Sequence, residues 1–107
     1  MVKMKYQFII TGRRWFQKSY GNTYHTAAME VRDIDGNTVY TYKSGERYGY
    51  GEQFIYTAME YLLEAGYLDS LEYYRTGGNE PLYRYCERMG YPKPIINTID
   101  VAREKDL

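Results

Sequence analysis

Apolar and polar side chains alternate at the start of the chain. Tyr6, Phe8 and Ile10 fall on one side, Lys5 and Gln7 on the other. This period of two predicts a half-buried strand from Met4 to Phe16. Gly12 interrupts the pattern and predicts a bulge or bend. Beyond it, Arg13 and Trp15 share one side, Arg14 and Phe16 the other. Ser19-Tyr20-Gly21-Asn22 predicts a tight turn, because Gly and Asn tolerate positive φ. A second strand is expected from Tyr24 to Arg32. His25, Ala27, Met29 and Val31 line one face of it, and Thr26, Ala28, Glu30 and Arg32 the other. Asp35-Gly36-Asn37 signals a hairpin into a third strand, Thr38 to Lys43.

The period then changes. Over Glu52 to Ala65, Ile55, Ala58, Met59, Leu62 and Leu63 recur at helical spacing, an apolar stripe that faces a sheet. Gly66 suits the stop. Residues 68–78 are ambiguous between a short helical turn and a loop. Asn79 is the expected cap of a second helix with Pro81 in its first turn. Leu82, Tyr85, Cys86 and Met89 share a face of that helix, and Gly90 ends it. Ile95 to Val101 predicts a returning strand, and residues 103–107 a polar tail. The fold class is α+β: an antiparallel β-meander, two helices and a returning strand (βββ-α-α-β) in a single domain spanning 1–107.

At 107 residues, with 44% hydrophobic and 26% charged side chains, the chain is globular in character. It has no run of about 18 apolar residues, so no membrane span is expected. The opening Met1-Val2-Lys3-Met4-Lys5 begins like a signal peptide, but the apolar stretch after it is too short and no small-residue cleavage site follows. One cysteine excludes an internal disulfide and suits a reducing, cytoplasmic setting. Cys86 reads as a small buried apolar residue. Most of the fifteen tyrosines are expected on sheet faces and core margins.

Net charge is zero but unevenly placed. Residues 1–29 carry Lys3, Lys5, Arg13, Arg14 and Lys18 and no acid, leaving nine bases against fourteen acids in the remainder. Such asymmetry marks an anion-facing side, unless folding brings the acidic half alongside to neutralise it. Overall neutrality argues against nonspecific coating of DNA, which needs many cations against phosphate.

Three constellations could carry chemistry. Arg13, Arg14, Trp15, Lys18, Tyr20, Tyr24 and His25 crowd one hairpin end. Arg presents a planar fork of donors matching phosphate, and aromatic rings stack on bases. The bland alternative is a solvated hairpin whose arginine stems cover rings. Tyr48-Gly49-Tyr50-Gly51 leads into the first helix, where free amides attract anions. The spacing matches no Walker or Rossmann motif, Glu52 could satisfy those amides itself, and the glycines could simply turn the chain. His25 could act with Glu30 and an arginine as a small RNase, but Glu30 falls on the opposite strand face. One His and one Cys make no metal site, and no cofactor is expected.

Arg13-Arg14-Trp15-Phe16 with Gly21-Asn22-Thr23-Tyr24-His25, then Tyr48-Gly49-Tyr50-Gly51 and the ending Asp100 to Leu107, resembles short proteins of bacteriophage genomes. No residue role follows from that resemblance. It implies a setting: residence in the host cytoplasm, and counter-defence by sequestering a nucleotide signal or blocking a host enzyme. The expected function is non-catalytic binding of an anionic, nucleotide-like ligand or short nucleic acid. The alternatives are inhibition of a host protein through a Tyr-rich surface, a small RNase-like nuclease and a structural phage component. A homodimer is a further expectation, since an open sheet leaves edges to cover.

Overall fold

The computed structural model describes residues 5–107. The expectations that fall on Met4 and Lys3 lie outside them. Strand β1 (Gln7–Gln17) pairs antiparallel with β2 (Asn22–Arg32), and β2 with β3 (Thr38–Lys43). A two-residue strand, β4 (Arg47–Tyr48), also pairs with β2. Three helices follow: α1 (Gln53–Glu64), α2 (Ser70–Arg75) and α3 (Leu82–Met89). Strand β5 (Ile95–Val101) then returns beside β1 and runs parallel to it, giving the order β3-β2-β1-β5 with β4 off β2. The α+β class agrees with the sequence reading, and the order of strands, then helices, then a returning strand agrees roughly, with β4 and α2 added to the expected βββ-α-α-β. The sheet is mixed, because the chain crosses the helix layer before β5.

One face of the sheet meets the helices. Phe8 and Ile10 of β1 lie opposite Val31 and Met29 of β2, and all four are buried. Phe54, Ala58, Met59 and Leu62 of α1 close over them, joined by Leu82, Tyr85 and Cys86 of α3. Fully burying side chains such as Phe8, Phe54 and Leu62 contributes roughly 1.5–3 kcal/mol each. Phe54 and Thr57 are buried while Ile55 and Leu63 lie at the core margin, so the contact face of α1 is turned from the simple apolar stripe. Burial pushes the Cys86 thiol up to about 12, which keeps it protonated and unreactive.

Gly12 is not a bulge. It pairs in regular register with Ala27, and the ring of Phe54 lies directly over it where a Cβ would sit. The register shift in this sheet falls instead between Val31 and Arg32. Asn79 does not cap α3; the N-cap position is Pro81, and Gly90 ends the helix in the left-handed region. The ambiguous 68–78 stretch contains α2, capped by the Asp69 side chain, which accepts from the Leu71 and Glu72 amides. Arg88 of α3 ties this turn down through Glu72 and Glu80.

Tyr6, Tyr40, Tyr61, Tyr67 and Tyr91 pack at the margin of the core. Tyr6 meets Tyr67 and Tyr91 edge-on, Tyr85 meets Tyr91, and Tyr42 packs on Tyr61. The fully buried Tyr85 hydroxyl accepts the Asp69 amide, so its polar end is satisfied.

Candidate functional site

The other face of the sheet carries no α-helix. Alternation along β1 places Gln7, Ile9, Thr11, Arg13 and Trp15 there, and along β2 Tyr24, Thr26, Ala28, Glu30 and Arg32. The remaining site candidates divide between the two faces and the turns.

On the open face, Trp15 and Tyr24 are direct cross-strand partners, their rings stacked at 5.9 Å and 27°. Tyr48 of β4 lies beyond Tyr24, edge-on at 5.6 Å. One rung inward is Arg13, opposite Thr26. Among the described residues its guanidinium reaches a single partner, the backbone carbonyl of Asp106, at 3.5 Å. It forms no ion pair with a described carboxylate. Three rings in a row and a fork of donors beside them form a half-exposed platform.

The polar tail crosses this face. After β5 it makes a short 3-10 turn, Glu104–Asp106. Asp106 meets Arg13 of β1, and the carbonyl of Leu107 accepts from Lys43 of β3 at 2.9 Å. Thr26, which pairs with Arg13 on this face, is only 5% exposed. Burial, a hydrogen bond with Glu104 and the charge of Glu104 together push the carboxyl of Glu46 up from its ordinary 4.5. A carboxyl raised in this way favours the docked tail while protonated. Its contribution is present in acid and is lost as pH rises through the folded-state value. The expected result is faster amide exchange at 104–106, corrected for intrinsic rate, as pH increases upward from 4.5, and Glu46→Gln removes that dependence.

On the helix face, the candidates are held by the chain itself. Arg14 donates from Nε and Nη2 to the two carboxylate oxygens of Asp100, at 2.7 and 3.1 Å. Its Nη1 donates to the Gly51 carbonyl at 3.1 Å. The guanidinium, hydrogen-bonded to Asp100, holds that carboxyl below its usual range. His25 is 1% exposed. Its Nδ1 lies 3.1 Å from the Gly49 carbonyl and its Nε2 2.7 Å from the Thr57 hydroxyl. A carbonyl can only accept, so Nδ1 carries the proton and Nε2 accepts from Thr57. A ring so enclosed has no free nitrogen to offer a substrate. Glu30, the acid that the RNase reading pairs with His25, faces the open side and accepts from Arg32 and Thr38.

The Tyr48–Gly51 loop is therefore latched by β1 and β2. Gly49 and Gly51 receive side-chain donors on their carbonyls, and the Gly49 amide donates to Thr23. Glu52 occupies the N-cap position of α1 without a side-chain cap bond. Gly49 has φ +155 and its Cβ position is blocked by Gln53 and His25, so no other residue fits against the imidazole. Lys18, Tyr20 and Tyr50 are exposed at the turns.

Arg47 was missed by sequence reasoning. It faces the helices, donates to Glu60 and the Tyr61 hydroxyl, and stacks over the Tyr61 ring at 5.7 Å. No local pattern marked it, since β4 has only two residues.

Among the described residues no group of three or more His, Cys, Asp or Glu is placed to hold a metal ion, and no helix is long and apolar enough to cross a membrane. Comparison with protein-family models, curated proteins and solved structures finds no match to this chain.

Proposed function

We propose that this chain is a non-catalytic binding protein for an anionic, nucleotide-like ligand, taken on the open sheet face. The observation that carries the reading is the placement of Arg13 one rung from the Trp15–Tyr24–Tyr48 row, on a face that no α-helix covers and that the 104–106 turn crosses. A base stacked on Trp15 or Tyr48 contributes roughly 1–3 kcal/mol by truncation. Arg13 stays charged and supplies a fork for phosphate. Arg14, His25 and the glycine loop then serve as the frame, not the contact surface. In the bacteriophage setting that the sequence resemblance suggests, such a protein would withdraw a host nucleotide signal.

The test is a melting series with cyclic and linear nucleotides. A true ligand at about 100 times its dissociation constant adds roughly 2.7 kcal/mol of stability. That gain is expected to vanish in Arg13→Ala and in Trp15→Ala, both of which leave the helix-face core untouched. No gain with any nucleotide, or a gain that survives both substitutions, overturns the reading.

A second reading is favoured by the exposed tyrosines. Tyr20, Tyr48 and Tyr50 are 76%, 66% and 79% exposed. Rings of this kind anchor protein interfaces, which suits an inhibitor of a host protein. It predicts a host protein that co-purifies with the wild-type chain and is lost with Tyr48→Ala and Tyr50→Ala, with no nucleotide response.

A further inference from the structure

The two edges of the sheet are treated differently. At β3, a register shift bends the pairing with β2, Lys43 ends the strand, and the Tyr67 hydroxyl donates to the Val39 carbonyl. Such devices discourage further strand addition. At β5, Lys93 and Pro94 stand just before the strand, and no such device lies within it. Its register with β1 runs unbroken from Ile95 to Val101, with no Pro or Lys inside the strand. Among the described residues nothing pairs with its outer side. Five of its seven residues are β-branched, and Ile95, Ile96 and Ile99 are 43%, 37% and 39% exposed. Its one charge, Asp100, is neutralised by Arg14.

We propose that β5 is a self-association edge: two copies pair β5 to β5, antiparallel, about a two-fold axis normal to the sheet. The two five-stranded sheets become one continuous sheet. This axis keeps helix face with helix face, so the register must centre on a residue of β5. Centring it on Asn97 sets Ile95 against Ile99 of the other copy, twice, on the open face. On the helix face Ile96 meets Thr98. No like charges meet, because the two Asp100 side chains stand six residues apart along the ladder, about 20 Å.

The helix layer argues for a second copy over an isolated peptide. A small apolar groove of ≈ 80 Å³ opens beside Ile96, lined by Ile55, Tyr56, Leu82 and Tyr83. The same axis brings this groove against its counterpart, with the exposed rings of Tyr56 and Tyr83 at the seam. A stable interface needs about 800 Å² per partner. One seven-residue strand falls short of that, and the helix layer enlarges the contact. Both open faces then look the same way, so a dimer presents two Arg13–Trp15 platforms side by side.

The test is sedentation-free and direct: light scattering behind size exclusion on the full chain at micromolar concentration. The expected mass is twice 12.7 kDa. Ile95→Lys with Ile99→Lys is expected to give 12.7 kDa with an unchanged circular dichroism spectrum, and Thr41→Lys on the far edge to remain dimeric. Asn97→Cys supplies an independent readout: position 97 meets itself across the axis, Cys86 is buried, and mild oxidation should link two chains covalently. A monomeric wild-type chain, a dimer that survives both lysines, or a dimeric Asn97→Cys chain that fails to cross-link would each overturn the proposal.

Discussion

Gly12→Ala is expected to lower stability by roughly 2–3 kcal/mol, a large effect for a single methyl group on a strand. A Cβ at this position overlaps the Phe54 ring, and the ring is fixed between β1 and the body of α1. Neither side can give way cheaply, because close-packed interiors transmit such strain. Urea unfolding of Gly12→Ala, Phe54→Leu and the double variant measures this. The smaller Leu should relieve the overlap, so the double variant is expected to be less destabilised than the sum of the two, by about 1 kcal/mol or more. Strict additivity would show that the glycine is not there to admit the ring.

The second large effect is expected at the buried imidazole. His25→Ala removes a donor to the Gly49 carbonyl and an acceptor for the Thr57 hydroxyl. Each buried polar group left unpaired costs about 1–3 kcal/mol, and the lost ring leaves a cavity as well. A total of about 3 kcal/mol is expected from the denaturant midpoint. The Tyr48–Gly51 loop should also lose its protection against proteolysis. Thr57→Val completes a cycle with His25→Ala, and a coupling near zero would mean that the 2.7 Å contact contributes nothing to stability.

These two positions also show what a sequence reader can and cannot recover. The periods of two and of 3.6 located β3, β5 and the body of α1, because burying one side of an element writes that side into the residue pattern. The same alternation correctly parted Arg13 and Trp15 from Arg14. Grouping the candidates by nearness along the chain then pulled the faces back together. His25 and the Gly49 carbonyl are brought together by pairing between β2 and β4, and a two-residue strand has no pattern of its own. Gly12 looked like a bend because glycine is consistent with a bend, a bulge or a close neighbour, and only the position of Phe54 decides among them. The cap at Asp69 was readable in retrospect: an Asp ahead of Ser70-Leu71-Glu72, with a carboxylate aimed at two free amides, is a helix start.

The neighbours β1 and β5 come from opposite ends of the chain. Arg14 and Asp100, which bridge them, are separated by 86 positions. The first hairpin closes over a turn of a few residues and can form as soon as it leaves the ribosome. Its apolar side, with Phe8 and Ile10, is covered only once the helices that follow it have docked, and β5 comes after all three of them. Loop entropy must be overcome before that long-range pairing yields any contact, so docking of β5 is expected to be slower than growth of the hairpin.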